Sequence, residues 1–291
     1  MPQQLAIIGG GRVARALGKV FTHAGIFMLG DIRTRSLASA QQAAGFIGGG
    51  TALAPGQPMR VADVYMLAVS DDQIGPAAAA LALDVPLAGA VVFHCSGAKA
   101  AAELEPARAA GAFVASVHPV RSFADPEQVA RSFGGTWCGI EGDAPALELL
   151  EAAFGAAGAQ LVRIDPAAKA VYHAASVFAS NYLVTVVDAA LAAYRAAGID
   201  ELSARQLAAP LAAEALDNVL RLGGPAALTG PIARGDMDTV ARQQRALDAW
   251  DAPTGELYAA LARATALLAA RGRGAADATL HKSFDKVPKA Q

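Results

Sequence analysis

Apolar residues fall in short blocks along the first half of the chain and recur at helical spacing along the second. The blocks at 5–8, 26–32, 64–69, 90–94, 113–117 and 136–140 read as strands, and several are separated by helical patterns. Alternation of this kind predicts an α/β fold, a doubly wound and mostly parallel sheet covered by helices. A helix at 145–157 and a short apolar run at 160–164 follow, after which strand signals stop. Asp165-Pro166 is a strong helix start, because the carboxylate caps free N–H groups and a proline in the first turn has none to lose. From there helical residues continue to Ala197, with Gly198 suited to a left-handed cap, giving one helix of ~32 residues and ~48 Å. Further helices are expected at 203–222, with Pro210 a kink or break, at 237–250 and at 253–271. The divisions are therefore an α/β domain over 1–164, an all-helical domain over 165–272, and a tail over 273–291.

Composition narrows the function. The 291 residues are 54% hydrophobic and 17% charged, enough for a substantial core and unlike a disordered chain. A net charge of −2 without a basic block argues against nucleic acid. Cys95 and Cys138 have no metal-ligand spacing and no disulfide framework around them, so no metal is expected and Cys95 reads as core. No leader pattern precedes the first strand, and the longest apolar stretch, 174–187, falls short of the ~20 residues of a membrane span. It reads as a buried helix in a cytoplasmic protein whose partner is a small-molecule substrate.

The first strand block runs straight into Gly9-Gly10-Gly11-Arg12-Val13-Ala14 and a helix. In the Rossmann dinucleotide-binding turn the first glycine makes the bend, the second lets backbone approach a diphosphate, and a small third residue permits close helix packing, roles that fall to Gly9, Gly11 and Ala14. Cofactor choice is read after the second strand, where this chain carries Arg33-Thr34-Arg35-Ser36. Guanidinium and hydroxyl groups suit a 2′-phosphate, so NADP(H) is favoured, although Asp31 nearby leaves an NAD reading open. Val69 and Ser70, at the end of the third strand block, fall beside the nucleotide by position.

Strand ends at His94-Cys95-Ser96-Gly97 and Ser116-Val117-His118-Pro119-Val120-Arg121 open toward the ligand crevice of such a sheet, making Ser96 and His118 candidates. On the long helix Lys169, His173, Ser176 and Ser180 share a stripe, with Asn181 on its flank. Hydride delivery to a carbonyl needs a proton and a nearby cation, which Lys169 or His173 can supply, while Ser176, Ser180 and Asn181 can orient the substrate. In the loop Thr229-Gly-Pro-Ile-Ala-Arg-Gly-Asp236, Arg234 can clamp a carboxylate, and a plain connection capped by Asp236 or Asp238 is equally economical.

These motifs carry a resemblance. Phe93-His-Cys-Ser-Gly97, His118-Pro119 with Ser122-Phe123, Lys169-Ala-Val-Tyr-His173 running into Ala179-Ser-Asn-Tyr182, and the 229–236 loop together resemble Rossmann-like NADP oxidoreductases whose helical C-terminal half is a domain of unknown function. That group is similar, more distantly, to 6-phosphogluconate dehydrogenase, ketopantoate reductase, pyrroline-5-carboxylate reductase and deazaflavin-dependent NADP reductase. The resemblance implies a homodimer formed through the helical domain. It matches Lys169 to the lysine of the hydroxyacid branch, puts His173 where that branch has asparagine, and puts Arg121 where relatives carry glutamine. The reading is an NADPH-dependent reductase of a small carbonyl or imine compound, with Lys169, His173, Ser96 and His118 catalytic. A non-catalytic NADP(H) sensor and a deazaflavin–NADP reductase are the alternatives.

Overall fold

The computed structural model describes residues 3–273. Among them, strands β1 (Gln4–Ile8), β2 (Met28–Arg33), β3 (Thr51–Leu53), β4 (Val64–Leu67), β5 (Val91–His94), β6 (Phe113–Pro119), β7 (Trp137–Gly142) and β8 (Gln160–Arg163) form one sheet, ordered β3-β2-β1-β4-β5-β6-β7-β8. Neighbouring strands are parallel except β6 and β7. This is the expected α/β sheet with two features the sequence pattern did not announce. Strand β3 is only three residues long, too short to show an apolar period, and is held by pairing with Asp31, Ile32 and Arg33. Strand β7 runs backwards, and β8 beside it is the run expected at 160–164.

Helices α1 (Arg12–His23), α2 (Leu37–Ile47), α3 (Ile74–Asp84), α4 (Glu105–Ala109), α5 (Pro126–Arg131) and α6 (Ala144–Ala156) connect the strands. Successive strand residues face opposite sides, so both faces need apolar cover. Leu5 and Ile7 pack with Leu17, Phe21, Phe93 and Phe154 under α1, α2 and α6, whereas Ala6 and Ile8 pack with Tyr65, Leu67, Ile74 and Val92 under α3 and α4. Phe21 meets Phe154 edge to face with centroids 5.1 Å apart.

From Pro166 to Ala196 the backbone stays helical, but not uniformly. A 3-10 turn (Pro166–Ala168) leads into α7 (Lys169–Val177), then a π turn (Phe178–Tyr182), then α8 (Leu183–Ala196). The wider π turn breaks the 100° count, so the stripe drawn through Lys169, His173, Ser176 and Ser180 holds only as far as Val177. The expectation of a buried helix is also corrected: Val171, Phe178 and Val184 are 76%, 68% and 70% exposed. By length and composition alone this helix satisfies the requirement for a membrane span, because its polar residues interrupt the apolar run without ending the helix.

Helices α9 (Glu201–Leu222), α10 (Gly224–Ala227), α11 (Pro231–Arg234), α12 (Met237–Trp250) and α13 (Ala252–Arg273) follow. Pro210 does not interrupt α9, since it removes a single N–H rung from a helix of 22 residues. Residues 3–180 pack as one compact unit, including α7, and a second begins at Asn181. In the second unit Val240, Ala262 and Ala266 form a small core with Ile232, Met237 and Tyr258. Apart from Arg273, which ends α13, the tail expected at 273–291 lies outside the described residues.

Candidate active site

Strands β4, β5 and β6 are parallel, so their carboxyl ends share one edge of the sheet. Register sets Leu67, His94, Ser116 and Glu141 side by side in one row. Two residues further along β6, His118 stands on the same face as Ser116, opposite Gly139. Helix α7 delivers Lys169 to the first row. Its Nζ donates to Ser116 Oγ and, at 3.0 Å, to Glu141 Oε1. Both charged side chains are almost fully enclosed, at 2% and 4% exposure. Glu141 Oε1 also accepts the Ala101 N–H at 2.8 Å, and Ser116 Oγ donates to the Ser96 carbonyl at 3.3 Å. Burial lowers the Lys169 pKa, and the Glu141 carboxylate opposes that shift.

The loop after β5 is braced from within. His94 Nε2 meets the Ala100 carbonyl at 3.1 Å and its Nδ1 accepts the Ser96 N–H at 3.1 Å, so the ring is neutral with its proton on Nε2. Burial pushes its pKa down to about 4. Ser96 Oγ accepts the N–H groups of Ala98 and Lys99 at 3.1 and 2.9 Å, work that shapes the turn.

At Gly97 this loop meets two imidazoles. A Cβ there would lie 2.3 Å from His173 Nδ1 and 2.8 Å from His118 Nε2, so no other residue fits without displacing a ring. The His118 and His173 rings lie 5.6 Å apart, and His118 Nδ1 is 3.0 Å from the Tyr172 hydroxyl. His173 Nδ1 is buried without a hydrogen-bond partner among the described residues. Burial, then the neighbouring His173 and Lys169 charges, push His118 down to about 4. The structure therefore brings Lys169, His173, His118 and Ser96 together, along with three residues the sequence reading did not assign: Ser116, Glu141 and Tyr172. Tyr172 had a legible signal, because residues three apart on a helix share a side and Lys169 was already a candidate.

At the other end of the same edge, Gly9 has φ +114° and a Cβ there would lie 2.2 Å from the Ala68 carbonyl oxygen. Gly11 begins α1 with no side-chain cap, and a Cβ there would meet nothing within 4 Å. Ala14 is buried, Val13 half-buried and Arg12 exposed. This open cradle of N–H groups fits the diphosphate of a dinucleotide. Beyond β2 the charges divide. Both Asp31 oxygens are taken by Arg60, through its backbone N–H at 2.7 Å and its Nε at 2.9 Å. Arg33 pairs with Asp84. Thr34 Oγ1 donates to the Ser36 carbonyl at 2.7 Å, Ser36 Oγ caps α2 by accepting the Ser39 N–H, and Arg35 is exposed. Val69 is half-buried and Ser70 exposed at the end of β4.

Arg121 spends its guanidinium on the Ser132 carbonyl at 2.8 Å, Thr136 Oγ1 at 3.1 Å and Ser132 Oγ at 3.0 Å, pinning its own loop. Ser176 is half-buried on α7, and Ser180 and Asn181 fall in the exposed π turn. Arg234 is exposed at the end of α11 in the second unit, where Asp236 caps α12 by accepting the Thr239 N–H at 3.1 Å.

Residues 2–119 match the model of a Rossmann-like domain, and residues 136–265 match a domain of unknown function, DUF2520. No curated protein sequence matches the chain. Among solved structures, protein TM1727 of Thermotoga maritima is similar at 26% identity and TM-score 0.68, covering 92% of this chain and 99% of that one. BF3122 of Bacteroides fragilis is similar at 21% identity and TM-score 0.75, covering 91% and 98%. The imine reductase of Myxococcus stipitatus, solved with NADP+, is similar at 19% identity and TM-score 0.67, covering 97% and 100%.

Proposed function

Because this chain joins a Rossmann-like domain to a DUF2520 domain, we propose that it is an NADP(H)-dependent oxidoreductase acting on a small carbonyl or imine compound. The observation that carries this reading is the concentration of proton-bearing groups, His118, Tyr172, His173 and Lys169, at the carboxyl edge of the sheet whose first strand ends in the glycine cradle. When bound, the reduced cofactor supplies hydride. The chain's part is to hold the diphosphate on the N–H groups of 9–14 and to set a fixed ammonium beside the reacting oxygen or nitrogen. For that ammonium, the Glu141 and Ser116 contacts fix Lys169 Nζ in place. The preference for NADP(H) over NAD(H) is supported by Asp31, whose carboxylate is spent on Arg60, and by the exposed Arg35 beside the cradle. The overall likeness to the Myxococcus stipitatus imine reductase supports the substrate class.

A homodimer through the helical half is supported by apolar side chains left exposed on α8 and α9, among them Val184 at 70% and Leu220 at 79%. A cytoplasmic location accompanies this reading. The test of function is loss of NADPH absorbance against a panel of cyclic imines, 2-keto acids and aldehydes. Turnover of one class supports the reading. Tight NADPH binding without turnover across the panel would instead favour a cofactor-binding sensor.

A further inference from the structure

Resting on the reductase reading, we propose that His118 hands the proton to the substrate from Nε2 and that Tyr172 is the positioning residue that refills it through Nδ1. Three groups compete for the donor role, and their surroundings separate them. Lys169 Nζ is committed to Ser116 and Glu141 in an almost fully enclosed pair. Giving up its proton would strand the Glu141 carboxylate in the interior, opposite no cation. His173 has a buried Nδ1 with no hydrogen-bond partner among the described residues, so none of them refills it from that side.

His118 is different on both sides of its ring. Its Nδ1 lies 3.0 Å from the Tyr172 hydroxyl. In this transfer the phenol O–H donates to Nδ1. A neutral imidazole carries one proton, so that proton sits on Nε2. Nε2 faces Gly97, the residue without a side chain at the carboxyl end of β5. The sequence builds this chain of bonds from glycine at two places. At Gly97 a Cβ would collide with the ring, and at Gly139 a Cβ would come within 2.5 Å of the Tyr172 hydroxyl.

The transfer balances as follows. Hydride adds to the substrate's carbonyl or imine carbon, and the π pair moves onto oxygen or nitrogen. That atom takes the Nε2 proton while Nδ1 takes the Tyr172 proton. The resulting phenolate takes the Nδ1 proton back as solvent protonates Nε2, which restores both groups. A phenol is a stronger acid than the alcohol formed, which drives the relay toward product.

The experiment uses the full chain labelled with 15N-histidine, with long-range proton–nitrogen NMR near neutral pH and His118→Asn to assign the signal among the five histidines. The expected result is a neutral His118 protonated on Nε2, a preference that weakens in Tyr172→Phe. In the NADPH assay with cyclic imines, 2-keto acids and aldehydes, Tyr172→Phe is expected to lower kcat about 100-fold while KM and NADPH affinity stay within roughly twofold. A wild-type His118 protonated on Nδ1 would overturn the proposal, as would full kcat in Tyr172→Phe. A wild type that oxidises NADPH with no compound in the panel would overturn the reductase reading and the transfer with it. The NMR arm would still report the tautomer, so the two failures are told apart.

Discussion

Lys169 and Glu141 form an ion pair at 3.0 Å with 2% and 4% of their side chains exposed, which makes the energetics of breaking it calculable in outline. Replacing Lys169 by Met keeps the volume of the stem but leaves a buried carboxylate in the sheet that still accepts the Ala101 N–H and has lost its cation. Breaking such a buried pair from one side costs about 3–5 kcal/mol, because the uncompensated charge has lost its hydration as well as its partner. Replacing Glu141 by Gln in the same protein removes the stranded charge and keeps an oxygen for Ala101. The double variant is therefore expected to recover at least about 2 kcal/mol relative to Lys169→Met alone, a coupling within the range for residues in direct contact. Urea unfolding of the wild type, both single variants and the double variant at one pH measures the cycle. Additive single costs, or a Lys169→Met cost below about 1 kcal/mol, would refute the assignment of this pair as a closed interior contact. The same variant is expected to lose NADPH turnover while retaining NADPH binding, since the cradle at 9–14 contacts none of these groups.

Arg35→Ala is expected to weaken NADPH binding about tenfold, as loss of one charge-assisted contact does, with little effect on NADH in a titration. Arg33→Ala, whose guanidinium pairs with Asp84 at 18% and 21% exposure, is expected to lower stability by about 1 kcal/mol and disturb the NADPH-to-NADH ratio less. His94 and His118 both fall from the ordinary 6.5 to about 4 in the folded chain. The unfolded chain therefore binds more protons between those values, and the stability they confer is whole above pH 6.5 and lost as pH falls toward 4. The loss is up to about 3 kcal/mol for each ring, less for the more exposed His118, and urea midpoints across that window measure it. Gly97→Ala is expected to cost about 1–3 kcal/mol by overpacking against His173 and His118 and to shift the His118 signal, read by thermal unfolding and NMR.

What the sequence disclosed was local. The glycine turn, the strand before it and the helix after it lie within adjacent residues, and Lys169, Tyr172 and His173 lie within two turns of one helix. The site partners were hidden because they arrive over long separations. Lys169 finds Ser116 53 residues away and Glu141 28 away, and the second contact depends on β7 running against β6, a direction no apolar pattern encodes. Arg33, read with Thr34 and Arg35 as a phosphate ligand, also meets Asp84, 51 residues on, a partner that no local pattern shows. Asp31 was the converse case, an acidic residue near the ribose slot whose charge Arg60 absorbs. Tyr172 went unassigned because a tyrosine at helical spacing is ordinarily core, and only the facing Gly139 makes room for its hydroxyl at the site.

The sheet order has a consequence for anyone dividing this chain. The two matched regions stop at 119 and begin again at 136, inviting a cut in the gap. Yet β7 and β8, which begin the second region, complete the sheet started by the first. A fragment ending in that gap would carry β6 as a naked border strand, its row of unpaired amides and carbonyls a template for sticking to its own copies. It would also lose Glu141 and Lys169 together. The matched regions divide this sheet between them, whereas the smallest piece that keeps it whole runs through β8.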